Sequence, residues 1–178
     1  MDPVIRRAWP ADARTLTRIA HAAKRHWKYP EAWIHLWRDA LTVTPPFAER
    51  YPVYCAVAGA RVLGFYALSG GGATRELEHF WVLPAHIGRG VGARMFDHAV
   101  ARLRIEGARD LRIASDLYAE GFYLRMGARR VGERLSTPRG RTLPLMVLEV
   151  TAHGFALAES SLPRPQAGES RTVHVRAQ

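Results

Sequence analysis

Three glycines alternate in the segment Pro84-Ala85-His86-Ile87-Gly88-Arg89-Gly90-Val91-Gly92. Glycine lets a ligand come against bare backbone, and the free N–H groups at the start of a helix bind phosphate oxygens. The helix dipole adds to the attraction, and Arg89 brings a cation to the same loop. The chemistry suggested is recognition of a phosphorylated ligand. A P-loop would need Gly-Lys-Ser or Gly-Lys-Thr, and the chain contains neither. Gly88, Gly90 and Ala93 fit the dinucleotide pattern G-x-G-x-x-G/A. That motif, however, turns directly off its strand. Here Pro84 to Ile87 intervene, and too little chain follows to build a second nucleotide-binding half. The other alternative is a tight turn with no ligand, but three alternating glycines exceed what a strand-to-helix turn requires.

Such a loop needs a strand before it and a helix after it. Leu77 to Leu83 reads as a buried strand stopped by Pro84, and a helix is expected from about Val91 to Glu106. Its core face is Val91, Met95, Phe96, Ala99, Val100 and Leu103, with Gly107 as a C-terminal cap. Upstream, Val4 to Ala8 suits a first strand. A helix follows from Pro10 and Asp12, with Leu16, Ile19, Ala20, Ala23 and Trp27 at helical spacing. After a break at His26 to Tyr29, Pro30 opens a second helix with the stripe Trp33, Ile34, Trp37 and Leu41, which Pro45-Pro46 should end. Val53 to Val57 and Arg61 to Leu68 read as a hairpin, and Ser69 to Gly72 as a loop. Downstream come a strand at Asp110 to Ser115, a helix at Leu117 to Met126 capped by Gly127, and strands at Arg130 to Arg134 and Leu143 to Val150. From Thr151 the periodicity is lost, so residues 1–150 are expected to form the domain and 151–178 an extended or poorly ordered tail. The order is strand, two helices, three strands, helix, strand, helix, two strands. That is an α/β chain with one mixed sheet.

Leu77-Glu78-His79-Phe80-Trp81-Val82-Leu83-Pro84, the glycine loop and its helix resemble motif A of the GNAT acetyltransferase superfamily. Gly121-Phe122-Tyr123-Leu124-Arg125-Met126-Gly127-Ala128 resembles its motif B, and the element order is also similar. The resemblance spans about residues 4 to 150 and implies a mostly antiparallel sheet of about seven strands flanked by four helices. It also implies splaying of Leu77 to Leu83 from the strand that begins near Asp110, so that acetyl-CoA can enter between them. In this family the pyrophosphate lies on loop N–H groups, here Ile87, Gly88, Arg89, Gly90, Val91 and Gly92. The backbone of Val82 and Leu83 pairs with the pantetheine arm. Ile87 stands where the family has Gln or Arg. Asp116 stands where many members have an asparagine on the arm, and Ala128 replaces a phenylalanine.

Acetyl transfer to an amine requires that the amine lose a proton, that the thioester oxygen be stabilised as it gains charge, and that the thiolate depart. The resemblance makes Tyr123 the candidate acid; the alternative is a tyrosine filling the core beside Phe122. Glu78 is the candidate base. Strand alternation puts it on one face with Glu76, Phe80 and Val82, and His79 on the other; the alternative is a solvated strand glutamate. Trp27, Tyr29, Glu31 and Trp33 fall where GNAT proteins recognise acceptors and could line a cation site; otherwise the tryptophans pack helices onto the sheet. Cys55 reads as a buried apolar residue.

The composition fits this frame. The chain has 178 residues, 48% hydrophobic and 24% charged, with one cysteine. The numbers suit one core, exclude an intramolecular disulfide and a multi-cysteine zinc site, and no metal is expected. The start lacks an apolar signal segment and no apolar run approaches the roughly 20 residues of a membrane span, so a cytoplasmic protein with no membrane partner is expected. The net charge of +10 is nearly all arginine, the only lysines being Lys24 and Lys28. An anionic partner and a solvated arginine bias both account for it. The arginines are scattered and no nucleic-acid motif accompanies them, so no nucleic acid is expected. The leading function is acetyl-CoA-dependent N-acetylation of a small-molecule amine in a ternary complex; a homodimer is compatible. The alternatives are a protein lysine or N-terminal acceptor, or an acyl-CoA-binding module with little catalysis.

Overall fold

A computed structural model describes residues 3–150. Seven strands form one sheet in the order β1-β2-β3-β4-β5-β7-β6. They are β1 (Val4–Arg7), β2 (Val53–Ala58), β3 (Arg61–Gly71), β4 (Thr74–Val82), β5 (Asp110–Ala114), β6 (Arg129–Ser136) and β7 (Arg141–Glu149). Every neighbouring pair is antiparallel except β4 and β5. Six helices accompany the sheet: α1 (Ala13–His26), α2 (Glu31–Leu36), α3 (Arg38–Leu41), α4 (Pro45–Arg50), α5 (Val91–Ile105) and α6 (Glu120–Arg125). The expected tail at 151–178 lies outside the described residues.

The sheet separates two cores. On one face α5 buries Val91, Met95, Phe96, Ala99 and Leu103 against Tyr66, Leu68, Leu77 and Leu111. A fully buried ring such as Phe96 contributes on the order of 2–3 kcal/mol. On the other face α1 buries Leu16, Ile19 and Ala20 against Val53, Phe65 and Ala67. α1 carries Lys24, Arg25 and His26 in its last turn, where cations complement the dipole. Both α5 and α6 end in a glycine at positive φ: Gly107 is followed by an Ala108 N–H bond to Leu103 O (3.0 Å), and Gly127 by an Ala128 N–H bond to Tyr123 O (3.0 Å). These are Schellman closures, which satisfy carbonyls that a helix end leaves orphaned.

Three details differ from the sequence reading. The second helix is not one element: it breaks at Trp37 into α2 and α3. Pro45-Pro46 does not end that helix but begins α4, where Thr44 accepts from the Phe47 N–H and a proline in the first turn loses no hydrogen bond. Ser69 to Gly71 is not loop; it prolongs β3, with Gly71 opposite Thr74, so the turn is confined to two residues.

Candidate active site

β4 and β5 pair only at Thr74, Arg75 and Glu76, opposite Asp110, Leu111 and Arg112, and then part. From Leu77 to Val82 the β5-facing edge of β4 has no strand beside it. The Leu83 N–H donates to Leu63 O at 2.8 Å across the β3 side. Strand alternation therefore turns the N–H and C=O of Val82 and Phe80 into the gap. Of the two residues expected to offer backbone here, Val82 is aimed at the opening and the Leu83 amide is already used.

Two cavities meet at this gap. One, about 540 Å³, runs from the glycine loop along α6 and includes His86, Gly88, Gly90, Gly92, Tyr123 and Arg125. The other, about 760 Å³, lies among α1, α3, β6 and β7 and includes Lys24, Trp37, His79, Arg134 and Arg141. Leu77, Glu78, Trp81, Ala114 and Asp116 line both.

In the glycine loop Gly88 and Gly90 have φ of +76° and +82°, and a Cβ built on either meets nothing within 4 Å. Only glycine adopts that backbone freely, and the space beside it stays open to a ligand. The Ile87 N–H donates to Pro84 O and the Arg89 N–H to His86 O, so these two expected phosphate donors are consumed in the turn. Gly88 and Gly90 donate to no backbone carbonyl among the described residues. Val91, Gly92 and Ala93 open α5, where no helical partner exists for their N–H groups. Five amides and the exposed Arg89, with Arg125 lining the same cavity, have the chemistry to hold a diphosphate.

Glu78 is a bulge residue. Ala67 pairs with His79 and Leu68 with Leu77, leaving Glu78 opposite nothing. The extra residue resets the alternation: Leu77 packs with Phe80 and Val82 on the α5 face, so Glu78 does not simply share their face as strict alternation required. Its carboxylate is exposed and accepts from Ser69 Oγ at 2.6 Å. His79 is buried, and burial pushes its imidazole down to about 4, so it is neutral. Trp81 Nε1 donates to its Nδ1 at 3.1 Å, which puts the ring proton on Nε2.

Tyr123 is 5% exposed, packed among Phe80, Phe96 and Phe122. It is thus both core residue and cavity wall. Burial raises its phenol well above the usual value, and its hydroxyl makes no hydrogen bond to a described residue.

Asp116 does not lie free for a pantetheine arm. It forms a buried ion pair with Lys24, accepts from Tyr29 OH at 2.8 Å and from the Tyr118 N–H at 3.2 Å, and has Arg141 Nη2 at 3.6 Å. Burial alone would push its carboxyl up; Lys24 and the hydrogen bonds overcome this and hold it below the usual range. Burial is also the largest influence on Lys24, and lowers it despite Asp116. Tyr29 is pushed up to about 12, chiefly by burial.

The expected acceptor residues separate. Trp27 lines the first cavity and stacks on Tyr118 at 4.9 Å. Tyr29 joins the Asp116 cluster. Trp33 packs on Tyr29 and Trp37 and lines neither cavity. Glu31 is on the surface, paired with Arg25 at 2.6 Å, and lies in neither cavity. Sequence reasoning missed Lys24, Trp37 and Arg141. Lys24 had a signal, since it continues the stripe Leu16, Ile19, Ala20, Ala23 on the inward side of α1. Arg141, at a strand start among many arginines, had none. No group of three His, Cys, Asp or Glu among the described residues could hold a metal, and no helix among them is long and apolar enough to cross a membrane.

The fold recurs in solved structures. The PaiA N-acetyltransferase of Thermoplasma acidophilum, solved with coenzyme A, is 18% identical with a TM-score of 0.67 over 84% of this chain and 99% of that one. The ribosomal-protein-S18-alanine N-acetyltransferase of Escherichia coli is 18% identical, TM-score 0.64, over 87% and 98%. A GNAT acetyltransferase of Brucella melitensis, solved with acetyl-CoA, is 26% identical, TM-score 0.53, over 79% and 94%. No curated protein matches in sequence. The model of the acetyltransferase (GNAT) family matches residues 14–128, covering the glycine loop, the parted strands and α6. This chain belongs to the GNAT acetyltransferase family.

Proposed function

We propose that the protein transfers an acetyl group from acetyl-CoA to the primary amine of a small molecule, directly, with both substrates bound at once. The observation that carries this is the meeting of two cavities at the unpaired edge of β4: one suits a diphosphate and its arm, the other an acceptor. Acetyl-CoA would bring the activated acyl group as a thioester. The amides of Gly88, Gly90, Val91, Gly92 and Ala93 would hold its pyrophosphate, with Arg89 and Arg125 adding charge. Open space beside two left-handed glycines fits that role. Val82 would pair with the arm through its backbone, and its N–H would stabilise the oxygen that gains charge.

The remaining chemistry falls to side chains. An alkylamine with pKa near 10 is about a thousandfold protonated at pH 7, so it must lose a proton to react. Glu78 lines both cavities, is solvated, and is oriented by Ser69; it takes that proton directly or through a water. Tyr123 gives a proton to the departing sulfur. Residues 1–150 are then the catalytic domain. A second reading, a peptide N-terminus as acceptor, is favoured by the likeness to the E. coli enzyme named for a ribosomal-protein alanine. A screen of acetyl-CoA consumption over amines, amino acids, polyamines, aminoglycosides and short peptides separates the two.

The cofactor site has its own test. Gly90→Val strains the left-handed backbone and sets a branched side chain in the space open to phosphate. Calorimetry should show CoA binding weakened at least tenfold, about 1.4 kcal/mol. Unchanged affinity in a folded variant would place the cofactor elsewhere and sink the reading.

A further inference from the structure

The acceptor cavity has a charge imbalance at its floor. Lys24 and Arg141 are both buried there, with side chains 8% and 7% exposed, and the one buried carboxylate between them is Asp116. The other charges lining the cavity, of both signs, are exposed on its rim. The floor therefore holds two cations and one anion. Aromatic rings cushion the second cation: Trp37 lies 4.3 Å from Lys24 Nζ and 4.8 Å from the Arg141 guanidinium carbon. A ring face offsets only part of what burying a full charge costs. The guanidinium is also under-used. It donates to Ser136 Oγ at 3.0 Å and Tyr29 OH at 3.4 Å, while its buried Nε has no hydrogen-bond partner.

We propose that this floor is a carboxylate subsite, and that the acceptor is an amine bearing a carboxylate on the same small molecule, an amino acid in the broad sense. This rests on the acetyl-transfer reading and names its substrate class. An added anion balances the second cation and gives Arg141 the partner that its fork of donors is built for. The polarity of the cavity matches. Asp116, ion-paired with Arg141 at 3.6 Å, lines the junction, and so does Glu78, so the carboxylate is anchored on the floor while the ammonium of the same molecule faces Glu78. The short path from Arg141 through Asp116 to the junction favours acceptors in which the two groups are close.

The test uses the full chain and a panel of α-amino acids, each with its carboxamide and its decarboxylated amine. Binding is measured by calorimetry with CoA present, and turnover with acetyl-CoA. At least one acid should bind tenfold or more tighter than its amide and be turned over with a correspondingly lower KM. Arg141→Gln should abolish that preference, and Arg141→Lys should restore part of it. The acid–amide comparison in the unaltered protein decides the matter even if the variants fail to fold. Acids and neutral forms bound or turned over alike would overturn the carboxylate subsite and leave acetyl transfer standing. An acid bound tightly with no acetyl-CoA consumed in any arm would overturn acetyl transfer and leave the subsite standing.

Discussion

At the scale of single residues, what a side chain lacks is as informative as what it touches. The Tyr123 hydroxyl has no hydrogen-bond partner among the described residues, although its ring is packed on three sides. Tyr123→Phe removes that oxygen and keeps the ring, so folding stability should change little. The raised phenol stays protonated throughout the neutral range and can serve as an acid there. General acid catalysis contributes about 10²–10⁴-fold, and a thiolate of pKa near 8.5 leaves fairly well unaided, so the expected loss is near the low end. It should appear in kcat more than in the acetyl-CoA KM. A folded Tyr123→Phe enzyme with undiminished kcat would remove the phenol from the mechanism. The glycine loop was legible in the sequence because glycines between a strand and a helix have few uses. The cluster around Asp116 was not. Arg141 and Asp116 lie far apart in the chain, and only the sheet joins them. Glu31, read into the acceptor site from its neighbours, lies on the solvent side of its helix.

At the scale of elements, β4 does most to shape the site, and its geometry comes from two local irregularities. The bulge at Glu78 turns that side chain out of the packed row, and the parting from β5 frees the Val82 edge. The sequence marked the strand by its apolar run, but period-two alternation cannot reveal an inserted residue, so the bulge beside Glu78 was not foreseen, although Glu78 lines the same cavity as Phe80 and Val82. β3 holds β4 from the opposite edge, where Gly64 pairs with Val82. A Cβ on Gly64 would lie 2.7 Å from Trp81 O, 3.0 Å from Met95 Sδ and 3.3 Å from Val82 Cα. The methionine can yield; the backbone of β4 cannot without moving the strand. Gly64→Ala should therefore cost on the order of 1–3 kcal/mol, the usual range for overpacking, read as a lower urea midpoint. Because the displaced segment includes Val82, CoA binding should weaken as well. A variant with unaltered stability would mean that β3 and β4 separate easily here.

At the scale of the whole molecule, acid should be the condition that the fold tolerates least. The chain carries +10 at pH 7 with its eight histidines neutral, so each proton gained on acidification adds to self-repulsion. One histidine carries a larger penalty. His79 lies in the core between the sheet and α4, with Phe47 and Phe65 rings at 5.4 and 5.7 Å and Trp81 donating to Nδ1. Its folded pKa is about 4, against 6.5 for the free side chain. A depressed value means that the unfolded chain takes up the proton first. The contribution is complete above pH 6.5 and is lost as pH falls from there to about 4. At 1.36 kcal/mol per unit the loss is about 3 kcal/mol, a large share of the 5–15 kcal/mol by which domains are stable. Asp116, held below its usual range, adds a loss in the same direction at still lower pH. His79→Gln removes the titration and keeps a group able to accept from Trp81. Urea unfolding of both proteins at pH 7 and pH 4.5 isolates the effect, because the other titrating groups are common to both. The unaltered protein should lose about 2–3 kcal/mol more than the variant over that interval. Equal losses would mean that His79 accepts its proton inside the fold, and that the neutral ring assigned to the acceptor cavity is wrong.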